Sequence, residues 1–226
     1  MKKFAVIGLG TFGESVAKSL TEKGAEVIAI DRDMERVEEI QDYVSVAVQL
    51  DSTDENALLA QGIHEVDVAV VCIGEDFESN LLTSVLLKQI GVKEVITRAT
   101  RPIESKILKA VGIERVVNPE EEVGEKLAYS LMHPTLKEIF YLAGDISVAE
   151  LETPRVFVGK SLQELALRAK YGINLIVIRT PVREKVGEKP VREKVIMPTA
   201  DTVIQEGDLL VVVGTKEAIN KVTSLK

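Results

Sequence analysis

Lys3-Phe4-Ala5-Val6-Ile7-Gly8-Leu9-Gly10-Thr11-Phe12-Gly13 reads as a short apolar strand running straight into a glycine turn. A strand apolar on both faces belongs inside a parallel sheet covered on each side by helices. In the spacing Gly8-x-Gly10-x-x-Gly13 the first glycine permits a tight turn and the second lets backbone approach a pyrophosphate. The third lets the following helix pack closely on the strand. A helix beginning near Thr11 or Phe12 turns its unpaired amides and positive end toward phosphate oxygens. The second apolar run then ends on Asp31, at the interval where a carboxylate can accept both hydroxyls of a ribose. Strand, turn, helix, strand and acid together predict a Rossmann-type nucleotide-binding domain.

Working outward, six short apolar runs at residues 4–7, 26–30, 44–48, 68–73, 94–97 and 115–117 alternate with helical patterns at 12–21, 33–40, 55–61, 79–90 and 102–111. This is the signature of strands feeding crossover helices. Gly24, Gly62, Gly91 and Gly112 fall where those helices should stop. We therefore expect a doubly wound parallel sheet over residues 1–118, a crossover helix and linker over 119–143, and a smaller α+β domain over 144–226. Pro119 with Glu120-Glu121-Glu122 suits the first turn of a helix, and His133-Pro134 should end it. The C-terminal part reads as strands at 146–151, 156–158, 173–178 and 209–213, with helices at 161–169 and 216–222. Val-Arg-Glu-Lys-Val occurs at 182–186 and again at 191–195, around Gly187-Glu188-Lys189-Pro190. It reads as a charged β-hairpin, with a basic contact patch as the alternative.

Around the glycine turn the strand ends nominate further ligand residues. Asp31 would repel a 2′-phosphate, so NAD(H), ATP, ADP or AMP is favoured over NADP, a preference that the neighbouring Arg32 softens. Asp51 and Ser52 follow the third strand, where an adenine ring would lie and Asp51 could accept from its exocyclic amine. Asp51-Ser52-Thr53-Asp54 also reads as a helix cap. Ile73-Gly74 offers backbone close to the phosphates, and Arg98 ends the fifth strand pointing toward the same crevice or lying along its solvated rim.

Composition narrows the function. The chain has 226 residues, 46% of them hydrophobic, enough for a sizeable core, and its net charge of −8 repels nucleic acid and anionic lipid. Its high charge content and 4% aromatic residues have a thermophile-like texture. The one cysteine, Cys72, lies in an apolar run, reads as a buried structural thiol and fits a reducing compartment. The N-terminal apolar stretch is too short and too glycine-rich for a signal peptide or a spanning helix, so we expect no membrane insertion. A dehydrogenase needs a proton donor or acceptor beside its nicotinamide. The two histidines, His64 and His133, are not placed for that, and no metal-hydrolase or nucleophile-elbow pattern occurs. We expect a sensor that binds its nucleotide unchanged, without catalytic residues; a small NAD-dependent oxidoreductase is the alternative.

The sequence resembles the KtrA/TrkA-type regulatory subunits of potassium uptake systems, proteins built on RCK domains. The resemblance rests on residues 4–13, Val27 to Asp33, Gln49-Leu50-Asp51-Ser52-Thr53-Asp54, and Ala69 to Ile73 with Gly74-Glu75-Asp76. Ile96 to Ala99, Asn118-Pro119-Glu120, Gly159-Lys160-Ser161-Leu162, Tyr171-Gly172-Ile173 and Glu206-Gly207-Asp208-Leu209 extend it along the chain. It implies a cytoplasmic protein, peripheral to the inner face of the membrane, that dimerises and forms a ring beneath a membrane-embedded potassium-translocating partner. Nucleotide exchange then changes the ring's shape, with ATP or NADH favouring activity and ADP or NAD the reverse. By position, the Gly8, Gly10, Thr11, Phe12 and Gly13 turn and Arg98 would hold phosphates, Asp31 and Arg32 the ribose side, and Asp51 and Ser52 the adenine. Glu120 resembles the position that helps hold a cation between nucleotides at the dimer interface, and the C-terminal module resembles one that binds cyclic di-AMP in some members. Many ATP-responsive members carry arginine where this chain has Thr11, which implies a weaker preference for ATP over ADP or AMP. A regulator of a proton-coupled cation antiporter would share the same soluble chain.

Overall fold

The computed structural model describes residues 1–182 and 192–225. It divides into two compact units, Met1–Glu122 and Val123–Lys226.

In the first unit the chain runs β1 (Lys3–Ile7), α1 (Thr11–Glu22), β2 (Glu26–Asp31), α2 (Met34–Ile40), β3 (Val46–Gln49), α3 (Glu55–Ala60) and β4 (Val68–Val71). It continues through α4 (Phe77–Gln89), β5 (Glu94–Arg98), α5 (Pro102–Ala110) and β6 (Arg115–Val117) into α6 (Pro119–Met132), within which the unit boundary falls. The six strands form one sheet in the order β3-β2-β1-β4-β5-β6, and every neighbouring pair is parallel. Successive strand residues face opposite ways, so Ala5 and Ile7 pack with Leu58 of α3, Leu87 of α4 and Leu108 of α5. Val6, Val27 and Ala29 pack on the other face with Ala17 of α1 and Val37 and Ile40 of α2. The order reverses between β1 and β4, which leaves a crevice outside the carboxyl ends of the central strands. The doubly wound sheet read from the sequence is the one observed.

The second unit holds β7 (Leu136–Ala143), β8 (Ile146–Glu152), α7 (Leu162–Leu165), α8 (Leu167–Tyr171), β9 (Asn174–Val182), β10 (Arg192–Ile196), β11 (Leu209–Thr215) and α9 (Lys216–Thr223). Its antiparallel sheet has the order β10-β9-β11-β8-β7. Leu210 and Val212 alternate inward from β11 onto Phe157, Ile178, Ile219 and Val222, which form one core.

Two expectations are corrected here. Residues 156–158 are not a strand: Arg155–Phe157 is a 3-10 turn in which the Phe157 amide donates to the Pro154 carbonyl at 2.9 Å. Pro154 has no amide to donate to a ladder, and the turn drops the Phe157 ring fully into the core. The helix expected over 161–169 breaks at Ala166, which takes a left-handed φ of +44°. Leu165 and Leu167 are both buried. Residues two apart point away from each other on a continuous helix, and the break lets both reach the core. Ala166→Gly removes the clash of a Cβ at positive φ, partly offset by the greater freedom of glycine in the unfolded chain. We expect it to stabilise the second unit by about 0.5–1 kcal/mol, read as a higher thermal midpoint. Of the expected charged hairpin, β9 and β10 pair with Val182 opposite Arg192, while residues 183–191, which hold the expected turn, lie outside the described residues.

Candidate functional site

At the carboxyl end of β1 the turn is held by backbone. The Gly8 amide donates to the Ile30 carbonyl at 2.8 Å and the Cys72 amide to that of Ile7 at 2.7 Å. Gly8 has a φ of +91°, and a Cβ on it would lie 2.9 Å from the Ile73 nitrogen. Gly13 sits behind the turn, where a Cβ would meet the Gly8 carbonyl oxygen at 1.8 Å. It therefore does not line the crevice; its smallness seats α1 against β1. Gly10 differs: beyond its chain neighbours, a Cβ there would have a single atom within 4 Å, Nη1 of Arg36 at 3.8 Å. The fold itself does not need glycine at Gly10, and the space above it is open. Gly10 caps α1 without a side-chain hydrogen bond, leaving the first amides of the helix turned toward that space.

The crevice has a volume of about 880 Å³, within the roughly 300–1,000 Å³ of small-molecule sites. It brings together Gly8, Gly10, Thr11, Phe12, Asp31, Arg32, Asp51, Ser52, Ile73, Gly74, Arg98 and Glu120, all nominated from the sequence except for their mutual positions. Asp31 is buried. Its Oδ2 accepts the Leu9 amide at 2.6 Å and its Oδ1 the Asp33 amide at 3.0 Å. Each oxygen has a second lone pair for an incoming hydroxyl. Asp51 accepts from the Thr53 hydroxyl at 2.7 Å and the Thr53 amide at 2.9 Å, which hold its carboxyl below the usual range. The capping role falls to Asp54, which accepts from the Asn56 and Ala57 amides. The buried Ser52 hydroxyl pairs with that of Thr83 on α4 at 2.8 Å.

Arg98 is only 18% exposed and pairs with Glu120 in the first turn of α6. Its guanidinium lies 5.8 Å from the centre of the Phe12 ring and against Gly74, where a Cβ would stand 2.7 Å from Nη1. Gly74 thus makes room for this arginine. Arg98 Nε is buried without a hydrogen-bond partner among the described residues. An open floor at Gly10 and an unsatisfied buried donor at Arg98 fit an anionic ligand with phosphates. Arg32, 74% exposed, stands 4.0 Å from Asp76 on the rim. Among the described residues no group of three or more His, Cys, Asp or Glu side chains is arranged to hold a metal ion, and the Glu120 carboxylate faces a guanidinium. His64 and His133 do not line the crevice; His133 packs against Tyr129 in the second unit.

Sequence reading missed Arg36 and Asn80. Arg36 is on the crevice wall beside Asp31. Asn80 is buried on α4 and donates through Nδ2 to the carbonyls of Ile73 at 2.6 Å and Arg98 at 3.0 Å, tying the ends of β4 and β5. Burial pushes the Cys72 thiol up to about 12, against a smaller opposing pull from Arg98. At pH 8 this leaves on the order of a thousandfold less thiolate than an ordinary cysteine has. We expect correspondingly slow alkylation of the native chain and rapid reaction in denaturant. The raised value also means that stability is fully present below the unfolded thiol's pKa and falls above about pH 8.5, where only the unfolded chain ionises.

The first unit, with its crevice at the strand-order reversal, defines a Rossmann-class nucleotide-binding domain, here joined to a small antiparallel module. The sequence matches the TrkA-N domain over residues 4–119 and the TrkA-C domain over residues 147–226. It is 34% identical over 220 residues to the Ktr system potassium uptake proteins C and A of Bacillus subtilis (strain 168), covering 97% of this chain and 95% of each relative. Protein A of Vibrio alginolyticus is 30% identical over 225 residues, covering 99% of this chain and 98% of that one. The chain belongs to the TrkA/Ktr family of potassium uptake proteins. Among solved structures, the GsuK channel superposes with a TM-score of 0.66 at 16% identity over 99% of this chain. This chain spans 39% of that one, and the likeness is one of fold. Among the described residues no helix is long and apolar enough to cross a membrane.

Proposed function

We propose that the chain is a nucleotide-sensing regulatory subunit that acts on a membrane-embedded potassium-translocating partner. The observation that carries this reading is a near full-length match to Ktr proteins on a chain whose matched domain keeps an open nucleotide-sized crevice. One solved structure of the same fold is the GsuK channel bound to NAD, at a TM-score of 0.66. The ligand is an adenine nucleotide or NAD(H), with Asp31 taking the ribose, Asp51 and Ser52 the adenine side, and the Gly8 to Phe12 turn with Arg98 the phosphates. Self-association completes the working assembly. A cation at Glu120 would draw its other ligands from the nucleotide or a second copy, since this chain brings no cluster of its own among the described residues. Among the described residues the crevice lining contains neither histidine nor lysine, which supports binding over hydride transfer.

Purification of the tagged chain from native membranes tests the partner. Recovery of an integral membrane potassium-translocating protein is expected, whereas purely soluble partners overturn the reading. Incubation with NADH tests the sensing role: the cofactor is bound and recovered unchanged, and its oxidation with a substrate would point to an enzyme.

A further inference from the structure

A nucleotide in this crevice needs positive charge at its phosphates, and Thr11 brings none. Among the described residues seven carboxylates and three guanidiniums line the crevice, so the placement of each cation governs which ligands are tolerated. The three are placed differently. Arg98, paired with Glu120, keeps a buried Nε without a partner among the described residues, and Arg32 stands out on the rim toward Asp76.

We propose that Arg36 is the phosphate-reading, specificity-determining residue of the site, meeting the adenosine-side 5′-phosphate above Gly10. The proposal rests on the nucleotide-binding reading given above. Arg36 Nη1 is the one atom beyond the chain neighbours near the point where a Gly10 Cβ would stand, at 3.8 Å. A phosphate lying against that bare backbone therefore comes within reach of the guanidinium. The same nitrogen is 3.7 Å from Asp31 Oδ2, and Nε is 3.8 Å from Asp33 Oδ2. Both separations exceed a hydrogen bond, so the two carboxylates hold Arg36 in place by charge while its N–H groups stay available. A guanidinium can give two parallel hydrogen bonds to one phosphate, which an ammonium cannot match. Standing between the ribose carboxylate and the phosphate floor, Arg36 reads the first phosphate, which AMP, ADP, ATP and NAD share and adenosine lacks. With no cation at Thr11, phosphates beyond the first are left to Arg98 and the amides of the turn.

Calorimetric titration of the full chain and of Arg36→Gln and Arg36→Lys, with adenosine, AMP, ADP and NAD, tests this. Arg36→Gln is expected to weaken AMP, ADP and NAD by about tenfold or more and leave adenosine within about twofold, with Arg36→Lys recovering part of the loss. Equal losses for adenosine and AMP would mean that Arg36 acts only by orienting Asp31, and overturn the assignment. Unchanged AMP binding by Arg36→Gln overturns it too, while leaving the nucleotide reading intact. A wild-type chain that binds none of the four ligands overturns the nucleotide reading itself.

Discussion

Gly13→Ala is expected to cost the first unit its fold. The added carbon would lie 1.8 Å from the Gly8 carbonyl oxygen and 3.1 Å from Cys72 Cβ, and the nearer neighbour is backbone. Relief requires α1 to move off β1 by more than an ångström, which opens the packing of Ala17 and Val6 and tears the floor of the crevice. The expected loss is above about 4 kcal/mol, the range reached when backbone must be displaced or a core opened. Gly24→Ala is the control. Gly24 has a φ of +82° but nothing within 4 Å of its Cβ position, so only the conformational penalty of roughly 1–2 kcal/mol applies. Urea denaturation followed by circular dichroism compares the two, and a Gly13→Ala chain as stable as Gly24→Ala would show that α1 is not seated as described.

Asp31→Ala should have the second largest effect, on binding and stability together. Two backbone amides, those of Leu9 and Asp33, lose their acceptor, and the Leu9 bond is buried. Hydrogen bonds to a charged partner contribute about 1.5–3 kcal/mol each, so a destabilisation of about 2–4 kcal/mol is expected after water reaches the only part-buried Asp33 amide. Nucleotide affinity should fall by at least about a hundredfold through the lost ribose acceptor. Asp31→Asn separates the two effects. Its amide oxygen can still serve Leu9, so most of the stability returns, while the charge that holds Arg36 and accepts the ribose hydroxyls is gone. Equal nucleotide affinity in wild type and Asp31→Asn would remove Asp31 from the site.

What could be read in advance followed from local rules. The glycine spacing, the strand ending on Asp31 and the alternation of apolar runs with amphipathic ones are short-range signals, and together they place the crevice at the ends of β1, β2 and β4. The contacts that finish the site are long-range. Glu120 meets Arg98 because β5 and β6 are neighbours and α6 starts directly after β6, an arrangement that depends on strand order. Arg36 was overlooked because its direction is set by where Asp33 caps α2, through the Glu35 amide, and Asp33 looks like any polar turn residue. Asn80 gave no signal either, since a buried asparagine on an apolar helix declares itself only through the carbonyls it finds. In the second unit the break at Ala166 obeys core geometry against helix propensity, which no window of sequence contains.

The strand order also sets a schedule for synthesis. β1 lies between β2 and β4, so a growing chain can pair it with β2 early but leaves its other edge bare until Val68–Val71 has emerged. Val6 and Ala5, fully buried in the finished sheet, spend that interval beside an open row of amides and carbonyls. Non-local parallel pairing is slow, and an exposed central strand is where nascent chains find one another. A chain arrested with residues up to 31 outside the ribosome and 68–71 still inside it would present that bare edge to its neighbours.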